Sequence, residues 1–247
     1  MTYCLAISVN KGLVFASDSR TNAGADQVST YGKMHVFGSD GDRQIVLLSA
    51  GNLATTQAVI ARIERDIRDG ADSHLMSVVN LESAAQYVGQ ILQTQEERHG
   101  AAVSAAGINA EATFIIGGQI KGARTRLYLV YPQGNYITTS KETPFLQLGE
   151  VKYGKAILDR VVHSPTSLDE ASLCALVSMD STIRSNATVG PPIELLSYEN
   201  DSLCINHYLR LEESDDYLLE IKRAWNDYLL AAFKTLPGIK WGDLKNK

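Results

Sequence analysis

Residues 1–20 read "MTYCLAISVNKGLVFASDSR", and the fold follows from how this stretch is read. Residues 3–9 and 13–17 are largely apolar, β-branched or aromatic, and Asn10, Lys11 and Gly12 separate them. Two such runs around a short polar break predict a β-hairpin. The strand starts almost at the first residue, where chains are usually frayed. With a turn centred near Lys11, paired residue numbers add to about 22. Cys4 then lies opposite Asp18 and Thr2 opposite Arg20, with all four on one face of the sheet. Thr2 and Asp18 are then within side-chain reach. A register slip of one residue would break this arrangement.

That geometry matters because a threonine hydroxyl is a poor nucleophile without a base beside it. Removal of Met1 gives Thr2 a free α-amine, whose reference pKa of about 7.7–8.0 leaves it partly neutral near physiological pH. The amine can take the hydroxyl proton as the oxygen moves onto a carbonyl, so one residue supplies nucleophile and base. A small second residue such as Thr permits trimming of the initiator Met. A Thr at position 2 is also common in proteins that make no use of it, and the opening stretch alone does not separate the two.

Further along, "QIVLLSA" (44–50) reads as a strand ended by Gly51. Ile60, Ile63 and Ile67 then recur at helical spacing, with Gly70 as the stop. Leu81, Ala84, Ala85, Val88, Ile91 and Leu92 mark a second helix. After a small-residue loop, "ATFIIGG" (112–118), "RLYLVYP" (126–132) and "NYITT" (135–139) are strands with Gly and Pro punctuation. Helices are predicted over about 151–162 and from a Ser167/Glu170 capping box towards Met179. "IELLSYE" (193–199) and "SLCINHYL" (202–209) read as a hairpin. Ser214 is the candidate cap of a last helix carrying Leu218, Ile221, Trp225, Leu229 and Ala232 on one face. Strands, two helices, strands, two helices, strands and a helix show no βαβ alternation. Two antiparallel sheets covered by helical layers is the simplest packing of these blocks. No linker or internal repeat divides 1–247, and one domain is expected.

The 247 residues are 45% hydrophobic and carry a net charge of −5. A chain of this length buries a large core without staples, and its acidity gives no reason to expect nucleic acid or a phospholipid surface as a partner. Cys4, Cys174 and Cys204 are odd in number, far apart and without a CxxC pair. This fits small thiols in a reducing compartment rather than disulfides or zinc. The five histidines lack ligand spacing, so neither metal nor cofactor is expected. No signal peptide or membrane-spanning stretch is evident, and a cytoplasmic protein is expected.

The segments "GLVFASDSRTNAG", "KM" at 33–34, "LLSAGNLATTQAVI" (47–60), "RLYLVYPQGN" and "FLQLGEVKYGK" resemble the β-type subunits of the proteasome. "MTYCLAI" adds a closer likeness to the bacterial proteasome-like members of that family. The resemblance covers most of the chain, in order. It implies the N-terminal-nucleophile hydrolase fold, a four-layer αββα sandwich in the α+β class, which agrees with the block order.

The resemblance also implies roles at matched positions. Thr2 matches the nucleophile, Asp18 the aspartate of "SDSR", Lys33 the lysine of "KM", and Gly51 the glycine whose N–H faces the oxyanion. A Lys beside the hydroxyl lowers its pKa and relays its proton, and Asp18 holds that Lys by a charge-assisted hydrogen bond. A fixed oxyanion donor is worth roughly 3–4 kcal/mol in acyl transfer. Asn22, Ser49 and Leu53 match substrate-pocket positions and suggest neither an acidic nor a basic preference. Arg20 reads as an ion-pair partner and Cys4 as a small buried residue.

The match has departures. "LGEVKYG" stands where proteasome β subunits carry Gly-Ser-Gly, so Glu150 takes the place of a helper serine. Asp180 matches a supporting aspartate, but position 183 is Ile where its serine partner is expected, leaving Ser185 or Thr188 as substitutes. The implied function is a threonine-type peptidase or amidase, matured by loss of Met1 and working inside a self-assembled ring or spiral. An oligomeric scaffold that kept the fold, and an amidase for a non-peptide substrate, stand beside it.

Overall fold

In the computed structural model, residues 1–22, 28–100, 103, 105, 107–239 and 241 are described, without the side chains of residues 22 and 28. β1 (Tyr3–Val9) and β2 (Gly12–Asp18) form the predicted hairpin. Its turn is the two residues Asn10 and Lys11, so the pairs run from Val9↔Gly12 to Cys4↔Ser17 and their numbers add to 21. The expected register is therefore off by one. Cys4 faces Ser17 rather than Asp18, because the turn centres between Asn10 and Lys11 rather than on Lys11. A one-residue slip exchanges the faces: Cys4, Ala6, Leu13 and Phe15 pack between the sheets, while Tyr3, Leu5, Ile7, Val14 and Ala16 face a helical layer.

The first sheet has the order β10-β1-β2-β11-β12, with β10 (Phe145–Gly149), β11 (Ile193–Glu199) and β12 (His207–Leu211). The second is β5-β6-β7-β8-β9, built from Met34–Ser39, Arg43–Gly51, Ala112–Ile120, Arg126–Val130 and Tyr136–Thr138. A small ladder joins β3 (Arg20–Asn22) to β4 (Val28–Thr30). α1 (Leu53–Arg68) and α2 (Leu81–Gln95) cover the outer face of the second sheet through Val59, Ile63, Val88 and Leu92. α3 (Val151–Val161), α4 (Leu168–Ser185) and α5 (Asp216–Lys234) cover the first sheet through Leu158, Ala175, Leu218 and Ile221. The two inner faces meet over Phe15, Leu48, Ile115 and Leu196. This is the αββα sandwich.

Caps fix several boundaries. Asn52 accepts from the Ala54 and Thr55 N–H groups at the head of α1, and both arms of the Ser167/Glu170 capping box are present. The last helix is capped by Asp215, not Ser214. Its apolar face is buried only at its N-terminal end, so Leu229 is exposed. The second strand of the final hairpin starts at His207, because Asp201 and Leu203 adopt positive φ and residues 202–206 form a loop. The short β3 and β4 and the strands β5 and β10 were not predicted; none of them carries a sustained period-2 pattern.

Candidate active site

The ends of β1 and β2, the segment entering β5, and the joint between β6 and α1 converge on a cleft of about 1010 Å³. Thr2 lines it just ahead of β1, and the exposed Met1 precedes it. Asp18 is fully buried at the end of β2. Although the register places it opposite Tyr3, its carboxylate turns back across the strand end. Oδ1 accepts from the Tyr3 N–H at 3.0 Å and from Lys33 Nζ at 2.6 Å, and Oδ2 accepts from the Gly190 N–H at 3.2 Å. Lys33 Nζ also donates to the Arg20 carbonyl at 2.6 Å. Burial pushes the Asp18 carboxyl above the usual carboxylate range, and the Lys33 ammonium and the two N–H donors pull it back.

Lys33 is positioned at the mouth of β5 by its backbone, since its carbonyl accepts the Ser49 N–H at 3.0 Å. Ser49 forms part of the cleft floor and Leu53 part of its wall. Gly51 ends β6 with φ at +113°, in the region that favours glycine. A side chain there would overlap the Glu111 carbonyl and come 2.8 Å from Ala112 Cα. Thr2, Lys33, Ser49, Gly51 and Leu53 all line this one cleft, with Asp18 hydrogen-bonded behind Lys33. Asn22 closes β3, and its side chain lies outside the described residues.

The remaining predicted positions are arranged differently. Glu150 sits beside Thr2 through its backbone, whose N–H donates to the Thr2 carbonyl at 2.8 Å. Its buried carboxylate lies 3.4 Å from Lys152 Nζ. Asp180 is on α4, about 200° round the helix from Ser178, which touches Tyr3. Burial raises the Asp180 carboxyl, and the cations acting on it are Lys222 and Arg184. Ser185 is exposed at the end of α4.

Three residues that sequence reasoning passed over, Tyr3, Gly149 and Gly190, hold the arrangement together with Arg20, the expected ion-pair partner, whose Nη2 lies 3.9 Å from Glu213 Oε2. The Tyr3 hydroxyl lies 2.7 Å from Ser178 Oγ and accepts from Gln147 Nε2 at 2.6 Å, anchoring the strand next to Thr2. Burial pushes this phenol up to about 12. Gly149 has φ at +77°, and any side chain there would overlap the Thr2 carbonyl. The Gly190 carbonyl accepts from the Ser19 and Arg20 N–H groups at 3.3 and 3.2 Å. Arg20 Nη1 donates to the Ala187 carbonyl at 3.0 Å, and the guanidinium fills the space that a side chain on Gly190 would need. The glycine of "LGE" was the available signal for Gly149. Nothing in the sequence tied Gly190 to Asp18, 172 residues away.

A hairpin-borne threonine, a buried Lys–Asp pair and a glycine-ended strand within an αββα sandwich define an N-terminal-nucleophile class of fold, and the chain belongs to the proteasome subunit family, whose model matches residues 2–196. It is similar over nearly its whole length to Anbu (ancestral beta-subunit) from Yersinia bercovieri, with 43% identity, coverage of 97% of this chain and 99% of that one, and a TM-score of 0.91. The helical assembly of the Anbu complex from Pseudomonas aeruginosa matches at 44% identity, covering 98% and 99%, with a TM-score of 0.93. A Gly-1 mutant of Anbu from Hyphomicrobium sp. strain MC1 matches at 42% identity, covering 97% and 100%, with a TM-score of 0.90. No curated protein matches. Among the described residues no helix is long and apolar enough to cross a membrane.

Proposed function

We propose that the chain is a threonine-type N-terminal-nucleophile peptidase or amidase, matured by loss of Met1 and acting in the cytoplasm as a self-assembled ring or spiral. The observation that carries this reading is the buried Lys33–Asp18 pair at 2.6 Å beside the cleft that Thr2 lines. After Met1 leaves, the Thr2 α-amine takes the Oγ proton while Oγ bonds to the substrate carbonyl carbon. Lys33 lowers the hydroxyl pKa by its charge, and Asp18 keeps Lys33 in place. The Gly51 N–H stabilises the oxyanion. Collapse breaks the C–N bond, and the proton passes to the leaving amine. Water then attacks the Thr2 ester, and the acid leaves as the hydroxyl regains its proton. Self-assembly is supported by the helical assembly formed by the Pseudomonas aeruginosa relative.

Intact mass should show Met1 absent, and an electrophile directed at N-terminal threonine should add one label, at Thr2. A retained Met1 would exclude the α-amine mechanism. Absence of labelling in a trimmed, assembled sample supports the second reading, a scaffold that keeps the fold. That reading draws on the "LGEVKYG" loop, where the Glu150 carboxylate pairs with Lys152, and on Asp180, whose carboxyl is acted on by Lys222 and Arg184.

A further inference from the structure

The cleft continues well past Thr2. One face of α1, with Leu53, Gln57, Ile60, Ala61 and Glu64, forms a wall, and Tyr31, Gly32, Lys33 and His35 line the cleft from the segment entering β5. These α1 positions recur at three- and four-residue intervals, so they share one helix face. Near Lys33 the polar groups are already engaged, because its ammonium is held by Asp18 and the Arg20 carbonyl. Further along, the cleft changes character. His35 lies here; burial lowers its pKa, and the carboxylates of Glu194 and Glu64 oppose that shift. Glu194, on β11, lies beside Gly32 on the far side of the cleft from α1, buried and hydrogen-bonded to Ser17 and Tyr208. Glu64 opens into the cleft, and among the described residues its carboxylate makes no ion pair or hydrogen bond. The arginines nearest in sequence do not neutralise it. Arg62 is bound to Asp66 and Arg68 to Asp69, while Arg65 sits about 100° round the helix.

We infer that this cleft selects a substrate carrying a lysine or arginine a few residues from the bond to be cut, with Glu64, about 16 Å along α1 from Leu53, as the residue that reads the charge. The inference rests on the reading of the cleft as the substrate site. Leu53 and Ile60 offer an apolar wall for the long aliphatic stem, and a long basic side chain buries its stem while its head stays polar. The Lys33–Asp18 pair is internally neutral, so the acidic field of the cleft comes from Glu64, with buried Glu194 adding to it from the far side. A cleft with low-dielectric walls strengthens such a field relative to open solvent. Ser49 and Leu53, which line the end near Thr2, are neutral, and on their own they give no sign of this preference.

The test separates recognition from catalysis. The full-length Thr2→Ala protein, which cannot acylate, is titrated with fluorescein-labelled hexapeptides carrying arginine at each position in turn. Partners carry citrulline, the neutral isostere, and binding is read by anisotropy. At one position or more the arginine peptide should bind about tenfold tighter. That ratio should fall as salt is raised and approach one in Glu64→Gln. Equal binding of both peptides, no binding of either, or an unchanged ratio in Glu64→Gln would overturn the inference. Failure of the catalytic reading is seen separately, as absence of electrophile labelling at Thr2 in the chain that retains it.

Discussion

Lys33 Nζ stands 2.6 Å from Asp18 Oδ1, with both residues buried. Removing one partner of a buried pair leaves the other charge uncompensated and costs about 3–5 kcal/mol, whereas replacing both can cost little. Lys33→Met strands a carboxylate on two backbone N–H groups, and Asp18→Asn strands an ammonium on the Arg20 carbonyl. Each single variant should therefore be less stable than the Asp18→Asn/Lys33→Met double variant. Urea-unfolding midpoints of the four proteins give this comparison. Additive losses would show that the two groups do not act as a pair.

Arg20 acts on Asp18 through a neighbour. Its guanidinium holds the Ala187 carbonyl and covers Gly190, whose N–H donates to Asp18 Oδ2. One hydrogen bond of this kind is worth about 1 kcal/mol, so Arg20→Ala should slow Thr2 labelling about fivefold. Gly190→Ala, which pushes the guanidinium aside, should do the same. If both act through this contact, the double variant is no slower than either single one. Because loss of the Gly190 donor raises the Asp18 carboxyl further, ¹³C titration of that carboxyl should move upward in both variants. A purely structural role for Arg20 would leave that titration where it is.

The layers were legible in sequence because their patterns are long. Ile60, Ile63 and Ile67 carry helical periodicity over about two turns and the set from Leu81 to Leu92 over about three, and α1 and α2 lie where that periodicity places them. The hairpin was legible, but its register was not, since placing the turn centre half a residue off exchanges the faces. Asp18 meets Lys33 despite that error, because a side chain at a strand end can bend around the last backbone pair. The candidate site was legible mainly through the resemblance, which matched Asp18, Lys33 and Gly51, while Thr2 was the position whose own chemistry drew notice. The contacts of Tyr3 with Ser178 and of Asp18 with Gly190 join residues more than 170 positions apart, and no periodicity or spacing reports such a contact.

Gly149 should be as sensitive as any charged residue of the site. Its φ of +77° disfavours a side chain, and a Cβ there would overlap the Thr2 carbonyl. Backbone strain of this kind costs about 1–3 kcal/mol, and relief of the overlap must move Thr2 or break the Tyr3↔Gly149 pairing. Gly149→Ala should therefore lower the unfolding midpoint and abolish labelling of Thr2. Gly122, with a similar φ of +78° but open space around it, is the control. Gly122→Ala should show the strain cost alone, with labelling intact.

His35 gives the fold a dependence on pH. Burial lowers its pKa, while Glu64 and Glu194 oppose that shift. The unfolded chain therefore binds more protons than the folded one below the unfolded histidine pKa of about 6.5. Stability then rises with pH across that window. The contribution is fully present above about 6.5 and is lost as pH falls through the folded pKa. His35→Gln removes the titrating group, so the difference in unfolding free energy between the two proteins should change over this window and be flat above it. Glu64→Gln removes one of the two opposing carboxylates, lowers the His35 pKa further and widens the window on its acid side. Urea titrations at half-unit pH steps from 4.5 to 8, run on all three proteins, check both expectations. A difference between wild type and His35→Gln that is constant across the range would show that His35 titrates alike in the folded and unfolded chain.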